Sequence, residues 1–373
     1  MRFVDEYRAP EQVMQLIAHL KSRAQHLAYT AKRPLRIMEV CGGHTHAIFK
    51  FGLDQLLPDN IEFIHGPGCP VCVLPMGRID TCIEIADHPE VIFCTFGDAM
   101  RVPGKNGSLM QAKARGADIR IVYSPMDALK LAQQNPQRKV VFFGLGFETT
   151  MPTTAITLQQ AKAHNVSNFF FFCQHITLIP TLRSLLDQPD NSIDAFLAPG
   201  HVSMVIGTHA YGFIASDYHR PLVVAGFEPV DLLQGVNMLV AQKISGDSSV
   251  ENQYRRVVPD DGNRLAQKAI AEVFAVKGDS EWRGLGLIND SGVQLTPAYQ
   301  SFDAEAHFKP QPQRVCDDPR ARCGDVLTGR CKPHQCPLFG ATCNPQSAFG
   351  ALMVSTEGAC AAWYQYRSQE AEV

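Results

Sequence analysis

Between residues 35 and 230, short apolar runs recur with amphipathic stretches between them, and this alternation constrains the fold more than any other feature of the chain. The runs are 35–40, 61–65, 91–96, 119–123, 140–145, 169–173, 195–198 and 222–225. They are rich in Val, Ile and Phe without strict polar alternation, the pattern of strands covered on both faces. The segments 79–86, 126–133 and 155–164 carry helical periodicity between them. Strands alternating with helices predict βαβ units and an α/β fold.

Four runs precede Asp127 and four follow Lys139, so the expectation is two similar parallel-sheet α/β lobes, at residues 1–126 and 127–275. The first opens with a helix in 1–30 whose outer face is basic and polar; the second takes in a mainly helical stretch, 229–275. Residues 276–373 turn rich in Pro, Gly, Cys and charge and poor in apolar runs, and are read as a small Cys-rich C-terminal lobe. A segment so short of core formers needs a staple, which thiolate–metal bonds supply. A net charge of −3 gives no basic surface for nucleic acid or an anionic membrane. No apolar run approaches the ~20 residues of a membrane span. The N-terminal MRFVDEYRAPEQ carries acids and no apolar signal core, so a cytoplasmic protein is expected.

The chain has 12 cysteines, six of them within residues 316–373. A disulfide framework belongs to oxidising compartments, so this density in a cytoplasmic chain points to metal, cluster or redox chemistry. Ligands of open parallel sheets bind beyond the carboxyl ends of the strands. There the sequence puts Cys41-Gly42-Gly43-His44-Thr45-His46, then Gly66-Pro67-Gly68-Cys69-Pro70-Val71-Cys72. Cys41 precedes a helix-like stretch whose N–H groups favour a thiolate, the nucleophile and ligand form. His44 and His46 are candidate ligands, proton donors or hydrogen-bond partners, against the plainer reading of satisfied histidines. Cys69 and Cys72 form a CxxC at a helix start, suited to a redox dithiol or to half of a zinc site.

Further along, Glu148, His175, His201 and Glu228 end other runs and read equally as cleft residues or as loop residues. Gly144-x-Gly146 lacks the remainder of a nucleotide-binding fingerprint, and its threonines read as helix caps. Cys82, Cys94 and Cys173 lie in apolar patterns and read as small core hydrophobes. In the tail, Cys316, Cys323, Cys331, Cys336, Cys343 and Cys360 are separated by six, seven, four, six and sixteen residues. These spacings match neither a zinc ribbon nor a compact ferredoxin run. A [4Fe–4S] cluster, a zinc ion and no metal all remain open from spacing alone.

Taken together, CGGHTH at 41–46, GPGCPVC at 66–72, GFETTMPTT at 146–154, PGHVS at 199–203, CPLFG at 336–340 and STEGAC at 355–360 resemble the HypD family of hydrogenase maturation proteins. The resemblance runs in order along essentially the whole chain; Thr356 stands where the family pattern has a serine. It implies two α/β lobes plus an iron–sulfur lobe. It also implies a role in building the Fe(CN)₂CO group of [NiFe]-hydrogenases together with a HypC-type chaperone, with cyanide arriving from HypE loaded by HypF. Carried over by position, the resemblance makes Cys41 the iron-holding cysteine and Cys69 and Cys72 the redox pair. Cys323, Cys336, Cys343 and Cys360 become the cluster ligands, leaving Cys316 and Cys331 as extras. A cluster feeding the dithiol, and the dithiol feeding the iron, is the expected relay. The rival readings are a thiol-disulfide oxidoreductase with a zinc-stapled tail and a binding module that leaves the redox work to another protein.

Overall fold

The computed structural model describes residues 5–311, 315 and 318–367. All eight apolar runs form strands: β1 (Leu35–Glu39), β2 (Ile61–His65), β3 (Val91–Thr95), β4 (Ile119–Ile121), β5 (Lys139–Gly146), β6 (Phe169–His175), β7 (Ala195–Pro199) and β8 (Leu222–Ala225). A ninth strand, β9 (Val250–Asn252), interrupts the stretch expected to be helical. Its three residues are too few to carry a periodic signal.

The class is α/β with two parallel sheets, as expected, but the chain does not divide between them at residue 126. Sheet one runs β2-β1-β7-β8-β9 and sheet two runs β4-β3-β5-β6. Sheet two is therefore an insertion between β2 and β7, and the expected boundary falls inside it. Apolar runs report that strands exist; which strands pair is decided by long-range packing. Each sheet keeps the same order relative to its own first strand, so each has its topological switch point between its first and third strands. These lie between β1 and β7 and between β3 and β5.

The outer face of sheet one packs under the helices Pro10–Ala24 and Pro229–Ser245, burying Ile17, Leu20, Ile37, Leu197, Val223 and Val236. The outer face of sheet two buries Ile92, Phe142, Leu158 and Phe171. The inner faces share one core, in which Met38, Ile64, Phe93, Phe143, Phe172 and Phe196 meet Val326, Leu352 and Met353 from the C-terminal region. Each fully buried Leu or Phe there is worth roughly 1.5–3 kcal/mol. The Cys-rich C-terminal region expected at residues 276–373 is present and packs into this shared core. The strand Phe274–Lys277 spans that boundary and pairs with Gly292–Leu295 on the outer face of sheet two, against Phe171. The cysteine-rich residues that follow are built into the shared core, beside the strand ends.

Candidate functional site

Cys41 leaves β1 in an extended conformation (φ −152°, ψ 121°) and caps the helix Gly42–Lys50, its carbonyl accepting from Thr45 N at 3.0 Å. The sulfur is buried, with the N–H groups of His44 and Gly43 donating toward it. The sequence argument expected these donors to stabilise a thiolate. The balance goes the other way: burial pushes the Cys41 thiol well above its ordinary value, and the nearby Glu39 and Glu357 charges add to the rise.

The side chain that meets the sulfur is His201, whose Nδ1 lies 3.7 Å from Cys41 Sγ across the switch point of sheet one. Burial lowers His201 to about 4, so it is neutral near pH 7. His44 turns away from the sulfur: its Nε2 meets Ala225 O at 3.3 Å and its ring lies 5.1 Å from Phe227, which is equally 5.1 Å from His201. Burial, then the proximity of His201, lowers His44 to about 3, and its Nδ1 has no partner. His46 faces the C-terminal helix, with Nδ1 3.3 Å from Thr356 O and its ring 5.6 Å from Tyr366.

Beneath Cys41 lies a group that the sequence reading passed over. Glu39, the last residue of β1, is fully buried and accepts from Cys41 N at 2.9 Å, from the Thr45 hydroxyl, and from His65 Nδ1 at 2.8 Å. The available signal was a lone carboxylate ending an apolar strand, because such a group must be fully hydrogen-bonded to be tolerated.

The CxxC loop packs directly on this turn. Gly42 N donates to Gly68 O at 3.2 Å, and a Cβ at Gly42 would stand 3.2 Å from Cys69 Cβ and 2.7 Å from Glu357 Oε2. Cys69 and Cys72 are both buried and joined by Cys72 N to Cys69 O at 3.1 Å. Their side-chain hydrogen bond, then burial, pushes the Cys72 thiol well up, with Cys360 among the charges that add to it. A Cβ at Gly358 would sit 3.0 Å from Cys72 Sγ, so glycine is what lets the loop before Cys360 close onto the dithiol.

A cleft of about 260 Å³ opens between the two switch points, bounded by Gly68, Asp98, Thr149, Thr150, His201 and Glu357. Glu357 is still reached by water, yet burial of its inner side, with Asp98 and Glu39 nearby, raises its carboxyl. Glu148 lies outside this lining: its Oε1 accepts from Leu178 N at 2.9 Å, its Oε2 has no partner, and burial raises it to about 7. His175 is likewise buried, bonded to Thr150 Oγ1 at 3.1 Å. Glu228 pairs with Arg8. Cys82 and Cys94 are fully buried core residues and Cys173 packs at the edge of the core under sheet two.

Cys323, Cys336, Cys343 and Cys360 line one small cavity, walled by Leu338, Leu352 and Met353. Gly350 N donates to Cys343 Sγ at 3.4 Å. Burial, followed by the other three thiols and then Cys331, pushes Cys360 well up. Cys331 lines a different space, a cleft of about 550 Å³ along the free edge of β2, which holds none of the thiols named above. Cys316 lies outside the described residues. Among the described residues, no three His, Cys, Asp or Glu side chains converge to hold a single metal ion, and no helix is long and apolar enough to cross a membrane.

Comparison with known proteins agrees with the resemblance. The family model HypD, described as "Hydrogenase formation hypA family", matches residues 11–367. The chain is 86% identical to the hydrogenase maturation factor HypD of Escherichia coli (strain K12) over 100% of both chains. It is 57% identical to that of Rhodobacter capsulatus over 98% of both. Against that of Rhizobium leguminosarum bv. viciae it is 48% identical, over 98% of this chain and 96% of the relative. The chain belongs to the HypD family of hydrogenase maturation factors.

Proposed function

We propose that this chain acts in hydrogenase maturation as the scaffold on which an iron substrate acquires cyanide and carbon monoxide ligands, held through Cys41. The observation that carries this reading is that the three thiol-bearing segments pack in series through the core. Cys41 adjoins the Cys69/Cys72 loop, Cys72 adjoins Gly358, and Cys360, two residues on, belongs to the four-thiol cavity.

Iron(II) bearing such ligands favours a soft thiolate. Cys41 alone keeps its proton, so metal binding must displace it. His201, neutral and 3.7 Å from the sulfur, is positioned to accept that proton at Nδ1. Glu39 fixes the main chain of Cys41 and with it the direction of the sulfur. Cys69 and Cys72 form a two-electron couple: breaking their disulfide consumes two electrons and two protons and leaves two thiols. Glu357, whose carboxyl is raised by burial and by the nearby Asp98 and Glu39, lines the cleft where ligands would be exchanged.

The cavity of Cys323, Cys336, Cys343 and Cys360 fits a [4Fe–4S] cluster: four thiols surround a space with apolar walls, and a main-chain N–H points at one sulfur. A single zinc ion would instead ask its ligands to converge on one point. Bound there, the cluster would supply one-electron storage beside the dithiol. Partners in this reading are a HypC-type chaperone, which completes the site around Cys41, and HypE, loaded by HypF, as cyanide donor.

Anaerobic purification tests both halves. About four iron and four sulfide per chain are expected, lost in Cys343→Ser and kept in Cys331→Ser. A colourless zinc protein would overturn the cluster. Infrared spectra of the complex with the chaperone should carry CN and CO stretches that vanish in Cys41→Ala; bands that persist there would move the iron elsewhere.

A further inference from the structure

The contact between His201 and Cys41 is too long to fix a ring by itself, with Nδ1 3.7 Å from Sγ. Rotation of an imidazole about its Cβ–Cγ bond is soft and roughly two-fold. Turning the ring over would present carbon to the sulfur in place of nitrogen. The packing around His201 therefore decides which atom the thiol meets.

The ring packed against His201 is Phe227, with centroids 5.1 Å apart and planes 33° apart. Phe227 lies equally close to His44, at 5.1 Å and 41°, and His44 is tied through Nε2 to Ala225 O at 3.3 Å. The outer side of Phe227 is braced as well. Tyr254 meets it edge-on at 6.1 Å and 88°, and the Tyr254 ring lies under the Arg256 guanidinium at 4.4 Å. Arg256 is fixed by the fully buried Asp231, with Nη1 donating to Oδ1 at 2.8 Å and Nη2 to Oδ2 at 2.6 Å. Two close approaches make room for this series. A Cβ at Gly226 would stand 2.3 Å from Asp231 Oδ2 and 2.8 Å from Tyr254 Cδ2. One at Gly43 would stand 3.2 Å from Phe227 Cδ1 and 3.6 Å from Cys41 Sγ, so the Phe227 ring and the sulfur flank the same glycine.

We propose that Phe227 is a positioning residue for metal loading at Cys41: set between two imidazoles, its ring keeps His201 Nδ1 turned toward the sulfur. The proposal rests on the reading above in which Cys41 holds the iron. In that step the Cys41 S–H bond breaks as the sulfur–iron bond forms, and the proton passes to His201 Nδ1. The imidazolium then releases a proton to the cleft that His201 also lines, and no electron changes hands. A ring free to turn meets the thiol in the productive orientation only part of the time. Loading then slows, while the sulfur–metal bond, once formed, is as strong as before.

The test uses the full chain in its anaerobic complex with the chaperone, and Co(II) as the metal probe. Formation of the thiolate–cobalt charge-transfer band is followed by stopped-flow, with the Cys41→Ala trace subtracted to remove the other thiols. Phe227→Leu, which keeps bulk but loses the flat face, should slow this band roughly 10-fold and leave its final absorbance unchanged. Phe227→Tyr should restore the wild-type rate. In ¹⁵N-histidine spectra of the chain before cobalt is added, the His201 signals, assigned by their loss in His201→Gln, should broaden in Phe227→Leu and stay sharp in Phe227→Tyr. An unchanged rate in Phe227→Leu, a slower rate with sharp His201 signals, or a lower final absorbance at the wild-type rate overturns the positioning role. A wild-type complex with no Cys41-dependent band instead removes Cys41 as the metal-holding residue, and this proposal with it.

Discussion

The two sheets share a strand order but carry different chemistry at corresponding places. β1 ends in Glu39 and Cys41, whereas its counterpart β3 ends in Thr95 and Asp98. The third strand of sheet one leads to His201, and that of sheet two to Thr149 and Thr150. The sheet-one wall of the cleft thus offers an imidazole with the buried Cys41 sulfur behind it, and the other wall offers oxygen. Soft donors suit a low-valent iron, and hydroxyl and carboxyl groups suit polar ligands or protons moving beside it. In the proposed function, the same topology, used twice, would separate holding the metal from handling what is attached to it.

The largest effect should come from the sulfur wall. Cys41→Ala is expected to reduce hydrogenase maturation to background. His201→Ala, which spares the thiol but removes its neighbour, should cost roughly 10–100-fold, and Asp98→Asn on the oxygen wall less than about 10-fold. Equal losses at Cys41 and Asp98, measured as hydrogenase activity in a complemented deletion strain, would erase the division. Cys72→Ala should separate the steps, leaving iron bound at Cys41 while the infrared bands of its ligands fail to form. Unchanged maturation in that variant would remove the dithiol from the reaction.

The strand ends differ in stability as well. Glu39 satisfies three donors in a buried site, and Glu39→Ala strands Cys41 N and His65. That should cost roughly 3–5 kcal/mol, read by denaturant unfolding. After the third strand of sheet two, outside the cleft lining, Glu148 gives a pH signature. Its carboxyl is raised from 4.5 to about 7 in the folded protein, so the fold holds a proton that the unfolded chain has released. The associated stability is fully present below about pH 4.5 and gone once pH rises past about 7, a change of about 3 kcal/mol. Glu148→Gln should remove this dependence while its side-chain oxygen still accepts from Leu178 N. A pH profile identical to wild type would show that the carboxyl stays ionised in the fold.

What the sequence disclosed follows from what is local. Eight strands were legible because each is a continuous apolar run, and Cys41, Cys69 and Cys72 because they belong to turn motifs that carry glycine or proline. Strand pairing was not legible: β2 and β7 are separated by a complete second sheet, and nothing in 61–65 or 195–198 marks the gap that β1 bridges. The grouping of Cys323, Cys336, Cys343 and Cys360 came from resemblance, since the spacing admitted any four of six; the structure brings these four to one cavity and Cys331 to another. His44 and His46 were favoured because they neighbour Cys41 along the chain. His201, 160 residues away, is the nearer ring, because β1 and β7 are adjacent at the switch point. The expected thiolate failed for a related reason. The helix N–H groups are there, but burial and two carboxylates contributed from β1 and from the C-terminal region outweigh them.

Thr95 gives the finest test of the difference between the walls. It ends β3 as Glu39 ends β1, and it is almost fully buried, yet its Oγ1 has no hydrogen-bond partner. A buried hydroxyl without a partner forfeits its hydration for nothing in return, at roughly 1–3 kcal/mol. Thr95→Val keeps the branched shape that a strand favours and removes the unsatisfied oxygen. The variant should be more stable than wild type by about 1 kcal/mol or equal to it, with maturation unchanged. Loss of more than about 1 kcal/mol on unfolding would mean that this hydroxyl is bonded as Glu39 is, and that the second sheet too keeps a working polar group beneath its first strand end.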